Sequence, residues 1–410
     1  MGNVLIIGNG FDRALNMPTS YNDFLKFYYK ARSLYNKFYG KDILAEALPE
    51  KYHDLNADLL ADNKEIRCKD LFWSGIDACY RATLDSCFEM FSKLLDEFEI
   101  SNSDYEKIFR VKGFREINAK LIWILTRKNF WLEYFRSSEK EQGWIDFEEA
   151  IGNLLMDMTE ENYDQKLIDL LQCWNIHPDD EVVGDFLEDH LNQLKDFLEG
   201  YLIIFERARQ MAKDKGVSAG IDNPFIESDA KDLANLIGTN ADYVVSLNYT
   251  DTYNSVFHGR GCVEYVHGKV RNADDENENF TTSAGLVLGI NNQASLKKYE
   301  WAFKEYQIKH YRISRKYLHY LHENNANIDN IIIYGCSLGI ADKEVFKPIF
   351  LCYPEVKKEI YCYNYIEEKK IKKALREIIG DNALYDDQLE QKKINYTVVN
   401  KDNIKSQENY

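Results

Sequence analysis

Residues 3–12 read NVLIIGNGFD, and the fold is decided by how this stretch is read. Val4, Leu5, Ile6 and Ile7 are apolar at consecutive positions, so a strand built from them buries both faces, as strands do in the middle of a parallel sheet. Gly8-Asn9-Gly10 then turns the chain, and Phe11 and Asp12 open a helix. A phosphate-cradling unit begins with an apolar strand, a Gly-x-Gly turn and a helix start: the glycines let backbone approach an anion, and the helix N-terminus offers N–H groups at its positive end. Plain strand–turn–helix units begin the same way. The full G-x-G-x-x-G fingerprint is absent, because position 13 is Arg.

A strand buried on both faces needs neighbours, and the residues that follow do not supply them. From about residue 21 to 222 the pattern is helical, and Leu187, Leu191, Leu194, Leu198, Tyr201 and Phe205 recur at three- or four-residue steps. The stretches Phe72–Phe98, Phe114–Phe135 and Phe147–Met158 read alike. Beyond residue 240 the texture changes to short β-branched runs: Tyr243–Val245, Val263–Val266, Leu286–Ile290, Ile331–Ile333, Ile360–Tyr363 and Tyr396–Val399. The expected fold is α/β, a Rossmann-like sheet of about six to eight mostly parallel strands with a large all-helical insertion. Residues 1–30 plus 223–410 form a discontinuous α/β nucleotide-binding domain, and residues 31–222 the helical insertion. The polar segment Asn272–Thr282 reads as a mobile loop, and the tail after Asn400 as frayed.

Bulk properties narrow the function. The chain has 410 residues, 45% of them hydrophobic, enough for more than one core. Its net charge of -17 disfavours broad binding to nucleic acid. The most basic stretch, Lys304–Lys316, reads as a solvated helix face. Eight cysteines without a C-x-x-C pair suit a reducing cytosol. Met1-Gly2 is followed by Ile6 where a myristoylation signal has Ser or Thr, and no run approaches the length of a membrane span. A cytoplasmic protein is expected, with no membrane partner. No metal is expected either, since His319 and His322 have no accompanying ligand cluster.

Four stretches that could carry chemistry lie at the ends of expected strands, where the ligand crevice of an open α/β sheet forms. The first is Gly8-Asn9-Gly10-Phe11-Asp12. The second is Ser246-Leu247-Asn248-Tyr249-Thr250-Asp251, in which Asn248 either satisfies local backbone or grips a ribose hydroxyl or carboxamide. In the third, Tyr265-Val266-His267-Gly268-Lys269, the glycine leaves an imidazole approachable, and histidine titrates near neutral pH as a general base should. The fourth runs from Ile331 through Gly335, Cys336, Ser337, Leu338 and Gly339 to Asp342, which has the place of a helix N-cap. Gly335–Gly339 has the G-x-S-x-G look of a nucleophile elbow, but the last histidine, His322, precedes Ser337, which argues against a serine hydrolase. A fifth stretch, Trp144-Ile145-Asp146-Phe147-Glu148-Glu149, sits in the helical region, where Asp146 and Glu149 complement a helix dipole.

With these residues in view, the sequence resembles the AbiH-type bacteriophage abortive-infection proteins. The resemblance rests on NVLIIGNGFD, NMPTSYNDFL, WIDFEE, SLNYTDTY, YVHGK and IIIYGCSLGIADKEVF, in that order. More distantly it resembles the sirtuin-like NAD-binding fold, through Gly8, Gly10 and Pro18, then Asn248, His267, and Gly335 with Ser337. What the resemblance implies is a bacterial antiviral effector that hydrolyses NAD as its substrate at the nicotinamide–ribose bond. His267 would act as base and Asn248 would orient the ribose. Asn9, Phe11, Asp12, Tyr249, Asp251, Leu338 and Asp342 would line the nucleotide with the glycine turns. Position 250, where that fold has Asp, is Thr, with Asp251 one place later, and no four-cysteine zinc module follows His267. A phage-derived trigger and a second copy of the chain are the expected protein partners. Two other readings stand beside this one. One is a nucleotide-sensing binding module that signals to a partner. The other is a metal-dependent nuclease or RNA-directed toxin using Asp146 and Glu149, against which the net charge and the absence of a basic stripe count.

Overall fold

The computed structural model describes residues 2–15, 17–39, 112–142, 146–215, 233–234, 237, 241–257, 261–272, 275, 278–280, 282–324 and 327–399. Six strands form one sheet: β1 (Gly2–Ile7), β2 (Tyr243–Ser246), β3 (Cys262–Tyr265), β4 (Ile328–Tyr334), β5 (Lys357–Cys362) and β6 (Ile394–Val398). Their order is β3-β2-β1-β4-β5-β6, and every pairing is parallel. β1 lies between β2 and β4, with Val4 beside Tyr243 on one side and Ile331 on the other. The alternation of side chains along β1 divides the α/β core in two. Val4 and Ile6 join one apolar cluster with Ile331 and Ile333, while Leu5 and Ile7 join another with Ile332 and Phe11.

The described helices are α1 (Asn9–Ala14), α2 (Tyr21–Tyr39), α3 (Lys112–Arg127), α4 (Phe130–Gln142), α5 (Phe147–Thr159), α6 (Gln165–Gln172), α7 (Val183–Lys215), α8 (Thr252–Phe257), α9 (Lys304–His310), α10 (Lys316–Asn324), α11 (Lys343–Cys352), α12 (Tyr365–Ile379) and α13 (Asn382–Glu390). The leucine stripe of α7 is buried as its spacing predicts, and it packs with α2, α3, α4 and α5 into a third, aromatic-rich core. The expected helix at Phe72–Phe98 and the tail after Asn400 lie outside the described residues, as does part of Asn272–Thr282.

The run Leu286–Ile290 departs from expectation, because it is no strand of the sheet. Ile290 makes an isolated parallel bridge with Phe303, the Val287 N–H donates to the His267 carbonyl (2.9 Å), and at Leu288 the Gln307 side chain supplies the bonds a neighbouring strand would give. The Leu288 N–H donates to Gln307 Oε1 (3.0 Å), and Gln307 Nε2 donates to the Leu288 carbonyl (2.9 Å). Leu286, Leu288 and Ile290 point into the helical core, as do Val270, Phe280 and Phe303. The segment after β3 thus binds the helical region to the sheet.

Candidate active site

The strand order reverses between β1 and β4, and the carboxyl ends of these two strands face one another across that switch. Their loops touch. Gly335 has φ +67, and a Cβ there would lie 2.3 Å from the Phe11 nitrogen; one on Gly8 would lie 2.6 Å from the Gly335 carbonyl oxygen. The glycines are therefore required for the two loops to close on each other. The Gly8 N–H donates to the Tyr334 carbonyl (3.0 Å), that of Gly10 to Gly335 (2.8 Å) and that of Phe11 to Gly8 (2.8 Å). These three donors are engaged within the protein. Asn9, which is exposed, accepts from the Thr19 hydroxyl, and the Pro18 carbonyl accepts from Tyr201 of α7.

The β2 end locks onto the same loop. Asn248 is buried, and its Nδ2 donates to the Gly8 carbonyl (3.0 Å), so its amide holds the β1 turn. The Thr250 hydroxyl donates to buried Asp12, and the Tyr249 hydroxyl to the Val287 carbonyl (2.8 Å). Asp251 accepts from Tyr265, from Lys269 Nζ (2.6 Å) and from Asn254 Nδ2 (2.8 Å), which leaves its carboxylate well satisfied by protein groups. Ser337 is exposed and its Oγ accepts from the Gly339 N–H (3.4 Å). Beside it, Leu338 is held at φ +52 with its side chain in the core, a backbone conformation that packing has to impose. Burial raises the Cys336 thiol well above its ordinary value, so it is not an activated nucleophile.

A chain of charged groups runs from the β3 end into the helical region. His267 Nε2 lies 3.3 Å from Asp342 Oδ1; that same oxygen accepts from Lys304 Nζ at 2.7 Å, and Lys304 Nζ lies 2.7 Å from Glu148 Oε1. Four remote segments meet here: the β3 end, the turn before α11, the start of α9 and the first turn of α5. His267 and Lys304 side chains are 6% and 7% exposed, while the carboxylates of Asp342 and Glu148, at 17% and 14%, form the solvent side. Tyr21 and Tyr249 border the cluster, and Tyr21 stacks on Phe147 at 4.1 Å. The expected capping role of Asp342 is not what its side chain does: it caps no helix N–H and turns to Lys304 instead. Asp146 does cap, accepting from the Glu148 N–H (2.9 Å) and the Glu149 N–H (3.2 Å), and Glu149 is exposed.

Electrostatics splits the two carboxyls. Burial pushes Glu148 up to about 7, aided by Asp342 and Asp146 and opposed by Lys304. Burial also works against ionisation of Asp342, but Lys304 and His267 outweigh it and hold this carboxyl below its ordinary value. Burial disfavours the charge on Lys304, yet the two carboxylates overcome that and raise its pKa. His267 is lowered to about 4, first by burial and then by Lys304, against the pull of Asp342. The imidazole is therefore neutral throughout the physiological range. The neutral-pH titration expected of it has moved to Glu148, because desolvation favours the uncharged form of each group.

Sequence reading found His267 and Asp342 but missed Lys304, Glu148 and Tyr21. Lys304 was placed on a solvated face; its signal is the apolar Trp301-Ala302-Phe303 that precedes it, which draws the first turn of α9 inward. Among the described residues no group of three or more His, Cys, Asp or Glu side chains is arranged to hold a metal ion, and no helix is long and apolar enough to cross a membrane. A family model described as bacteriophage abortive infection AbiH matches residues 4–365. No curated protein and no solved structure shows a significant match.

Proposed function

The chain belongs to the bacteriophage abortive infection AbiH family, and from that premise we propose that it acts by binding NAD at the carboxyl end of the sheet and hydrolysing the nicotinamide–ribose bond. The observation that carries this reading is the pair of carboxyls on Lys304, one held ionised and one raised toward neutrality, beside a neutral imidazole. Titratable neighbours pushed apart in pKa are the pattern by which acid–base sites are recognised. Loss of nicotinamide from NAD needs no proton on the leaving group, since the bonding pair neutralises the pyridinium nitrogen. The reaction needs negative charge near the ribose as it becomes cation-like, and a base for the attacking water. Two carboxylates against one ammonium leave one unit of negative charge when Glu148 is ionised.

In this reading Asp342 stabilises the ribosyl cation, His267 fixes Asp342 and walls off solvent, and Asn248 orients the ribose edge by holding the Gly8 turn. The reading is tested by incubating purified protein with NAD and following free nicotinamide, together with NAD content in infected cells that express it. Release of nicotinamide is the expected result. Tight NAD binding without release assigns the crevice to sensing, and failure to bind NAD in either setting overturns the proposal.

A further inference from the structure

Glu148 is the member of the cluster that comes from outside the α/β fold. Asp146 accepts the N–H groups of both Glu148 and Glu149, which fixes the first turn of α5. Phe147 is clamped between Tyr21 and Phe135, stacked on each at 4.1 Å. With Phe147 driven into the helical core and Glu149 facing solvent, Glu148 is aimed at Lys304 and through it at Asp342. A helix dipole explains an acid in this turn but does not explain one drawn into a shared contact on a buried lysine.

Resting on the hydrolase reading above, we propose that Glu148, delivered by the helical region, is the catalytic base that takes the proton from the attacking water. In this step a water O–H bond breaks and its proton passes to a Glu148 carboxylate oxygen. The water oxygen bonds to the anomeric carbon of the ribose. The carbon–nitrogen bond breaks, its electron pair stays on the nicotinamide ring nitrogen, and nicotinamide leaves neutral. Glu148 then returns its proton to solvent, so ADP-ribose, nicotinamide and one proton are the products. Asp342, tied to both Lys304 and His267, stays ionised and takes no proton. Burial of Glu148 raises its proton affinity into the range where a base works best at neutral pH. The groups that face it are Lys304, Asp342, Asp146, Tyr21 and Tyr249, with His267 and Arg315 beyond Asp342.

The test compares Glu148→Gln and Glu148→Asp with the wild-type protein, measuring nicotinamide release across the neutral pH range, NAD affinity by calorimetry, and thermal unfolding. Wild-type kcat should rise with pH as Glu148 ionises. Glu148→Gln should lower kcat by about 10²–10⁴-fold, with NAD affinity kept and the acid limb of the profile gone. Glu148→Asp, which retains a carboxylate should the glutamine variant fold poorly, should keep the limb at a reduced rate. A glutamine variant with wild-type rate and profile overturns the assignment, as does a loss of NAD affinity that accounts for the whole defect. A wild-type protein that releases no nicotinamide overturns the hydrolase reading itself, before any variant is compared.

Discussion

Replacing Lys304 by Met removes the one ammonium shared by Asp342 and Glu148 while filling nearly the same volume. Each carboxylate oxygen lies 2.7 Å from Nζ, and the lysine side chain is 7% exposed. At an effective dielectric of about 20, one such contact is worth about 6 kcal/mol of Coulomb energy, much of it offset by desolvation. Taking away one partner of a buried pair leaves the other uncompensated, and the expected cost is about 3–5 kcal/mol at neutral pH. The cost must depend on pH. The folded pKa of Glu148 lies above its unfolded value, so its ionisation removes stability as pH rises from the ordinary carboxyl range toward 7. Without Lys304 the folded pKa rises further, and the gap between wild type and variant widens with pH. Protonation of Glu148 under mildly acidic conditions narrows it. Urea unfolding of Lys304→Met, Glu148→Gln and the double variant at acidic and neutral pH gives both the cost and the coupling. A neutral-pH cost below about 1 kcal/mol, or one unchanged by acidification, refutes the reasoning.

The other predictions concern the same loops and one remote lysine. His267→Ala, which frees one side of Asp342, should slow nicotinamide release by less than Glu148→Gln does and retain much of the NAD affinity, whereas Asn248→Ala, which frees the Gly8 carbonyl, should weaken both; calorimetry with a release assay reads this. Gly335→Ala combines a left-handed backbone with a Cβ 2.3 Å from the Phe11 nitrogen, and should cost about 2–5 kcal/mol in urea unfolding. Gly380→Ala, at φ +70 with open space around its Cβ, should cost only about 1 kcal/mol, and equal costs would show that the loop contact is unimportant. Lys358 is fully buried, and burial lowers its pKa to about 7. The unfolded chain therefore holds the extra proton between about pH 7 and the ordinary lysine value, and wild-type stability should rise relative to Lys358→Met by roughly 1 kcal/mol per pH unit across that window.

Much of the architecture was legible in the residues themselves. Val4–Ile7 is apolar at every position, and that local fact demanded strands on both sides; β2 and β4 occupy those places. The stripe on α7 told its buried face directly, because helical period depends on neighbours three and four residues away. The Leu286–Ile290 run reads as a strand, because its apolar residues state that the segment is buried. It does not state whether another strand or the Gln307 side chain satisfies its backbone.

The site shows where local reading ends. His267 and Asp342 were noticed because they follow strand ends, and glycine turns mark such places in any sequence. Lys304 and Glu148 sit on helices in segments that read as solvated or dipole-complementing, and no neighbour in sequence reveals their contact. Desolvation, which lowered His267 and raised Glu148, and the two carboxylates that keep Lys304 charged against it, are properties of everything packed around a group, most of it remote in the chain. The sequence by itself determined that a parallel α/β sheet takes its first strand from Val4–Ile7 and its others from beyond residue 240, with helices between. Only the tertiary structure decided which charges meet there, because Coulomb energy and solvent exclusion depend on distance through space and not along the chain.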